Sequence, residues 1–351
     1  MHDQKETELF LTLTPEKVLS AVEAAGLRTR PVCYPLNSFE NRVYEVELHD
    51  KSRVVAKFYR PGRWSDRQIL EEHGFITELV EEEIPVCPLR PFPDGRTLHQ
   101  IDHIYYCLFE RRGGRAPDEF SDELALRAGR LTARLHNVAV CKEAAHRLHI
   151  DAATYVHQNL KWLQQHETVP QRLARRYFDA AREIADTADE LMQGVAVHRL
   201  HGDLHHGNLL LRDGLLNVLD FDDMVVGPAV QDVWLLFPGR DTYSRQQREL
   251  FLEGYEEFRL FDRSTLRLVE PLRGLRLVHY ATWLARRYHD PIFQVTWPEF
   301  GTESYWQRET DDLEELVQVM RRELAPAGSP PPAAEEVLTN KDYFWDWEED
   351  A

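Results

Sequence analysis

Cysteine is scarce in this 351-residue chain: Cys33, Cys87, Cys107 and Cys141 are the only four, and no two form a C-x-x-C pair. That spacing excludes a disulfide framework or a cysteine zinc site and suits a reducing compartment. Positive charge is also short, with 42 Lys and Arg against 60 Asp and Glu and a formal net charge of −18. A duplex nucleic-acid binder needs a basic footprint to displace counterions from phosphate, so that class is excluded. Long apolar runs are missing: no stretch approaches the roughly 18 residues of a membrane span. The N-terminal MHDQKETELF lacks a basic segment followed by an apolar run, so no secretory signal is expected. The expectation is a cytoplasmic, monomeric protein with neither membrane nor nucleic-acid partners.

What is present is the composition of a soluble globular protein, 43% hydrophobic and 29% charged. The length is comfortable for two lobes. PEKVLSAVEAA (15–25) reads as a helix, with Thr14 as N-cap, Pro15 at the first position and Gly26 as stop. From about residue 32 the pattern is strand-like, through NRVYEVEL and RVVAKFY; SDRQILEEHGFITELVEEE then reads as a helix capped by Ser65, and DGRTLHQIDHIYYCLFE as two strands. Beyond the turn at 111–118, helical periodicity covers 121–136, 170–193, 243–260, 264–288 and 311–323, interrupted by a strand-loop island at 198–221. The fold class expected is α+β and two-lobed: a small antiparallel sheet lobe over 1–110 and a larger helical lobe over 111–325. Residues 326–351 form a proline-rich linker and an aromatic-acidic tail, which either docks on the body or stays solvated.

LHGDLHHGNLLLRDGLLNVLDFDD is the most informative stretch. It places Asp203 five residues before Asn208, and Asp220 twelve residues after it, with a hairpin pattern turning at Arg212-Asp213-Gly214. A hairpin returns the chain to its start, so Asn208 and Asp220 can meet. One carboxylate and one amide oxygen are ligands magnesium accepts while keeping waters and phosphates in its shell. Asp203 is then left to deprotonate an attacking hydroxyl, the division of labour of a kinase catalytic loop. The adjacent His205 and His206 read as loop residues rather than metal ligands.

Upstream, Lys57 in VVAKFYR is either a surface residue or the strand lysine that a kinase places on the α- and β-phosphates of ATP. Glu71 and Glu72 are candidates to hold it, Glu72 preferred because Leu79 falls at the matching helical offset. Such a lysine would also supply the cation that a triphosphate needs in an acidic protein. Where a glycine-rich phosphate loop is usual, PLNSFENRVY has no glycine. Backbone amides, Ser38, Asn37 and Asn41 take its place, or Ser38 and Asn41 make turn hydrogen bonds.

HGDLHHGN, LDFDD and GPAVQDVW resemble the aminoglycoside phosphotransferase and choline kinase-like superfamily. With LNSFENRVY, KFYRPGRW, ILEEH and EPLRGLRLVHY, the chain from about Leu36 to Trp306 is similar to the bacterial stress response kinase A group. The resemblance implies a kinase-like fold and a Ser/Thr protein kinase acting in stress protection and cell survival, autophosphorylation included. It implies Asp203 as proton acceptor, Asn208 and Asp220 as magnesium holders with Asp220 also catalytic, and Ser38 bordering ATP. The nucleotide set is then Ser38, Asn41, Lys57, Glu72 and Glu110. Asp232 either braces the catalytic loop or is a plain helix N-terminal acid. Gly202 stands where the usual HRD motif has arginine, and seven residues separate Asp220 from Pro228. Control by activation-loop phosphorylation is not expected.

The rival reading is a kinase for a small hydroxylated metabolite. Glu256, Glu257 and Glu270 would favour cationic acceptors, while Arg273, Arg276, Arg286 and Arg287 would favour anionic ones, so sequence does not choose. A pseudokinase or binding module is disfavoured by the joint presence of Lys57, Asp203, Asn208 and Asp220.

Overall fold

The computed structural model describes residues 2–36, 38–117 and 119–324, with side chains from Thr7 onward. Asn37 and the tail beyond 324 lie outside the described residues. Two compact units are resolved. Of the described residues, one comprises those up to Pro117 together with Ala144–Arg147 and Asn208–Asp222; the other takes Glu119–Glu143, Leu148–Gly207 and Asp223–Leu324.

In the first unit, helices α1 (His2–Leu11) and α2 (Pro15–Glu23) precede strands β1 (Thr29–Leu36), β2 (Arg42–Leu48) and β3 (Arg53–Phe58). Helix α3 (Asp66–Glu81) and strands β4 (His99–Ile101) and β5 (Ile104–Glu110) follow. The sheet is antiparallel in the order β1-β2-β3-β5-β4, which puts β3 at its centre. Thr14 caps α2 with Pro15 behind it, and Ser65 and Gln68 form a reciprocal capping box on α3. Helix α1 was not anticipated because its few apolar residues make no periodic stripe. It is held by Phe10, 1% exposed in the core beside Val18, Val46 and Phe58, with Arg42 and Arg60 over its ring.

The hairpin expected between Asn208 and Asp220 is formed by β7 (Leu209–Arg212) and β8 (Leu215–Val218), numbered after the intervening β6 (His198–Leu200). Asp213 and Gly214 have φ of 51° and 78°, the two positive values that a type I′ turn demands. The hairpin joins the first unit because Val218 N–H donates to Pro85 O at 2.9 Å and Leu211 bridges Arg115. Tertiary hydrogen bonding, rather than sequence order, therefore sets the division, and the N-terminal unit runs past residue 110.

The second unit is helical: α4 (Asp122–Ala139), α5 (Gln158–Gln165), α6 (Gln171–Met192), α7 (Val230–Trp234), α8 (Thr242–Glu256), α9 (Val269–Arg287), α10 (Pro291–Thr296) and α11 (Glu303–Glu323), with β6 paired to β9 (Val225–Gly227). Helices α4 and α8 approach backbone to backbone. A Cβ on Gly129 would stand 1.9 Å from Phe251 O, and one on Gly254 2.1 Å from Leu126 O. Tyr177 and Trp306 meet edge to face at 5.4 Å where α6 packs on α11. Among the described residues no helix is long and apolar enough to cross a membrane, and all four cysteines are free thiols.

Burial first, then nearby cations, push the His73 pKa down to about 3; burial, reinforced by His136, does the same at His198, and burial lowers His206 to about 4. These rings are neutral in the fold, whereas in the unfolded chain they titrate near 6.5. The stability they allow is fully present above pH 6.5 and is lost as pH falls toward about 4 for His206 and about 3 for His73 and His198, by at most about 1.4 kcal/mol per group per pH unit. The unfolding temperature is therefore expected to drop between pH 7 and pH 5, before ordinary carboxylates titrate. A flat profile by differential scanning fluorimetry over that range would contradict this account.

Candidate active site

The first unit gathers a buried charge cluster at the centre of the sheet. Lys57 on β3 pairs in register with Val43 of β2 and Cys107 of β5 and is 4% exposed. Its Nζ lies 2.9 Å from Asp220 Oδ1, 3.1 Å from Asp222 Oδ1 and 3.3 Å from Glu72 Oε1. Burial by itself would lower the ammonium pKa; the surrounding Asp220, Asp222 and Glu72 outweigh that and raise it well above the ordinary lysine value, so Lys57 stays charged. Arg147 donates to Glu72 Oε2 at 3.0 Å and to Asp222 O at 2.8 Å, and Arg63 donates to Asp222 Oδ2 at 2.5 Å. Three cations thus face three carboxylates. An unpaired charge at such a depth would cost several kcal/mol.

Of the two candidate glutamates, Glu72 turns inward to Lys57. Glu71 instead accepts from the backbone N–H groups of Ala145, His146 and Arg147 at 2.7–3.0 Å. One residue of α3 therefore orients the lysine while its neighbour pins the segment that supplies Arg147. Asp222, Arg63 and Arg147 were not foreseen. LDFDD carried the signal for Asp222, but nothing local marks Arg147, which lies 75 residues beyond its partner Glu72.

The hairpin brings Asn208 and Asp220 to the same end: Leu219 N–H donates to Asn208 O at 3.0 Å. Asn208 is 9% exposed, and the Asp220 side chain is 43% exposed. Asp220 has φ of 59°, a left-handed conformation that costs a non-glycine residue about 1 kcal/mol or more. Among the described residues no group of three or more His, Cys, Asp or Glu is placed to hold a metal ion. The Asn208–Asp220 pair is a partial oxygen set of the sort magnesium completes with phosphate and water.

Ser38 is half-buried ahead of β2. Asn41 is 2% exposed, and its Oδ1 accepts from Arg60 N–H at 3.2 Å, so that oxygen holds the turn. Glu110 closes β5, where it pairs with Val54 and lies 3.6 Å from Arg112; it is not part of the Lys57 cluster.

In the second unit, Asp203 lies in the loop after β6. Its Oδ1 accepts from Arg276 Nη2 at 2.5 Å and its Oδ2 is 3.3 Å from His205 Nε2. Burial would raise this carboxyl, but Arg276, then His205, hold it well below the usual carboxylate range. The loop is braced by Asp232 on α7, the role left open by sequence. Its carboxylate accepts from His201 N–H and Gly202 N–H, both at 2.9 Å, and meets His136 Nε2 at 3.1 Å, with both side chains fully buried. Gly202 has φ of 85°, and a Cβ there would stand 2.2 Å from Asp223 O. An arginine at this position is sterically impossible without moving the loop.

Gly202→Ala is expected to destabilise the protein by more than about 2 kcal/mol, combining the left-handed penalty with backbone displacement. Gly95, with φ of 81° but nothing within 4 Å of a Cβ, isolates the conformational part. Gly95→Ala should cost about 1 kcal/mol. Equal losses for the two in denaturant unfolding would contradict the close-contact argument.

The phosphotransferase enzyme family, APH, matches residues 33–269. Stress response kinase A of Escherichia coli K12 is 39% identical over 313 residues, covering 89% of this chain and 95% of that one. A serine/threonine protein kinase, RdoA, of Salmonella typhimurium LT2 is 38% identical over 312 residues, covering 89% and 94%. Among solved structures, an amicoumacin kinase in complex with AMP-PNP, Ca2+ and Ami has a TM-score of 0.66 at 21% identity, covering 87% of this chain and 93% of its own. A microcompartment-associated aminopropanol kinase has a TM-score of 0.65 at 20% identity, covering 87% and 97%. The α+β fold is thus the kinase-like fold of these enzymes, and the chain belongs to the APH phosphotransferase enzyme family as an ATP-dependent kinase.

Proposed function

We propose that this cytoplasmic kinase transfers the γ-phosphate of ATP, with magnesium, to Ser and Thr hydroxyls of proteins, its own chain included, in stress protection and cell survival. The observation that carries the phosphoryl-transfer roles is the buried Lys57 ammonium fixed between Glu72 and Asp220. Lys57 meets the α- and β-phosphates, and Glu72, itself held by Arg147, keeps it extended. Ser38 and the backbone leading into β2 border the phosphates. Asn208 and Asp220 hold magnesium, which when bound offsets charge building on the transferred phosphoryl group. Asp203 receives the proton of the acceptor hydroxyl. The protein acceptor is supported by the names of relatives at 38–39% identity, one of them a serine/threonine protein kinase.

A small-molecule acceptor is the second reading, favoured by fold neighbours described as amicoumacin and aminopropanol kinases. Labelled ATP offered with a protein mixture and a metabolite panel separates the two. Rapid transfer to one metabolite with negligible protein labelling would sink the protein reading. Asp203→Ala is expected to lower kcat by roughly 10²–10⁴-fold while ATP binding persists. Wild-type turnover in that variant would show that Asp203 is not the proton acceptor and would favour a binding module.

A further inference from the structure

Glu72 is held by more than its two cations. Its Oε1 also accepts from the hydroxyl of Tyr59, the residue that follows β3, at 3.2 Å. Tyr59 is 1% exposed, and its backbone N–H donates to Tyr105 O on β5 at 2.9 Å. The Lys57 ammonium stands 4.9 Å from the centroid of the same ring. One tyrosine therefore meets both members of the Lys57–Glu72 pair, the cation through its ring and the carboxylate through its hydroxyl. Behind the hydroxyl, His73 Nε2 lies at 3.0 Å and Cys107 Sγ at 3.6 Å, and His73 Nδ1 lies 2.8 Å from Thr97 Oγ1.

The supply of protons fixes the direction of these bonds. Glu72, set between Lys57 and Arg147, accepts, so the single hydroxyl proton of Tyr59 goes to it. The phenol oxygen then turns lone pairs to His73 and Cys107. His73 is neutral in the fold, so its one ring proton sits on Nε2 and is donated to Tyr59, while the Cys107 thiol donates to the other lone pair. His73 Nδ1 is left to accept from the Thr97 hydroxyl. With Tyr59 donating to His73 instead, the phenol and Glu72 oxygens would face each other at 3.2 Å without a proton between them. The bonds thus run one way, from Thr97 through His73 and Tyr59 to Glu72.

Glu72 makes the longest of the three contacts to Lys57, at 3.3 Å against 2.9 Å for Asp220 and 3.1 Å for Asp222. Both aspartates arrive on one short segment and draw the ammonium to their side. Arg147 donates to Oε2 of Glu72, which leaves Oε1 to Lys57 and Tyr59.

We propose that Tyr59, aligned by His73 and Thr97, is a positioning residue for ATP: its hydroxyl locks Glu72 so that Lys57 is held out for the phosphates instead of collapsing onto Asp220. The inference rests on the assignment of Lys57 to the ATP phosphates. Tyr59 acts through Glu72 and needs no contact with the nucleotide.

The test uses the full-length kinase and its Tyr59→Phe variant, which keeps the ring beside Lys57 and removes the hydroxyl. The Kd for magnesium-ATP in a calorimetric titration should rise at least about fivefold, the loss of a hydrogen bond to a charged group. A fitted Kd does not depend on how much of a preparation is folded. Ring-nitrogen NMR shifts of isotope-labelled protein should place the His73 proton on Nε2 in the wild type. In Tyr59→Phe it should move to Nδ1, where Thr97 Oγ1 accepts it. His73→Leu should weaken ATP binding in the same direction, and His73→Gln, which offers an amide N–H near the Nε2 position, should restore most of it. Wild-type affinity in Tyr59→Phe, a His73 proton already on Nδ1 in the wild type, or equal losses in His73→Leu and His73→Gln would overturn the inference. Lys57→Met tells that failure from failure of the assignment beneath it. If Lys57→Met weakens ATP binding and Tyr59→Phe does not, Lys57 keeps its role and Tyr59 loses its own. If Lys57→Met binds ATP as the wild type does, the assignment falls and the inference with it.

Discussion

The constraint at the centre of the N-terminal unit is one ammonium group that stays charged while almost fully buried, Lys57 at 4% exposure. Lys57 sits on the central strand, flanked on both sides by paired strands, and three carboxylates from two stretches, α3 and the segment 219–223, converge on it. Each brings its own constraint. Glu72 requires α3 to be docked, Asp220 requires the hairpin to close, and Asp222 requires Arg63 and Arg147 to balance it. An acidic protein with a formal charge of −18 thereby concentrates cations at one buried point.

The loops that carry acidic groups are held by main-chain geometry rather than by bulk. Asp220 is left-handed, and Gly202 is both left-handed and pressed against a carbonyl. Asp232 satisfies two consecutive backbone donors ahead of Asp203. Buried donors left without partners would each cost about 1–3 kcal/mol, so this single carboxylate fixes the loop's path. Glu71 does the same for the segment 145–147. At Gly202 the loop has no room for an arginine side chain.

Much of this was legible in the linear chain because it depends on local chemistry. Thr14 and Ser65 announce their helices, Asp213-Gly214 announces its turn, and the interval from Asn208 to Asp220 follows from a hairpin of known length. Lys57 stood out as a charge within an apolar strand. Helix α1 escaped notice because its order comes from burying Phe10 against distant strands, and α5 because it starts from an irregular turn at Ala153–His157 instead of a cap.

The sequence by itself determined the kinase-like cassette, the order of its elements and the acids placed at fixed intervals, since spacing along a hairpin or helix is set by covalent geometry. Only the tertiary structure decided which of two adjacent glutamates meets Lys57, that Arg63 and Arg147 neutralise Asp222, and which acid of the helical unit each of Arg130, Arg240 and Arg276 meets. Those outcomes depend on partners 15 to 163 residues away, and a buried charge takes whichever partner the packed fold delivers to it, a choice that no local pattern encodes.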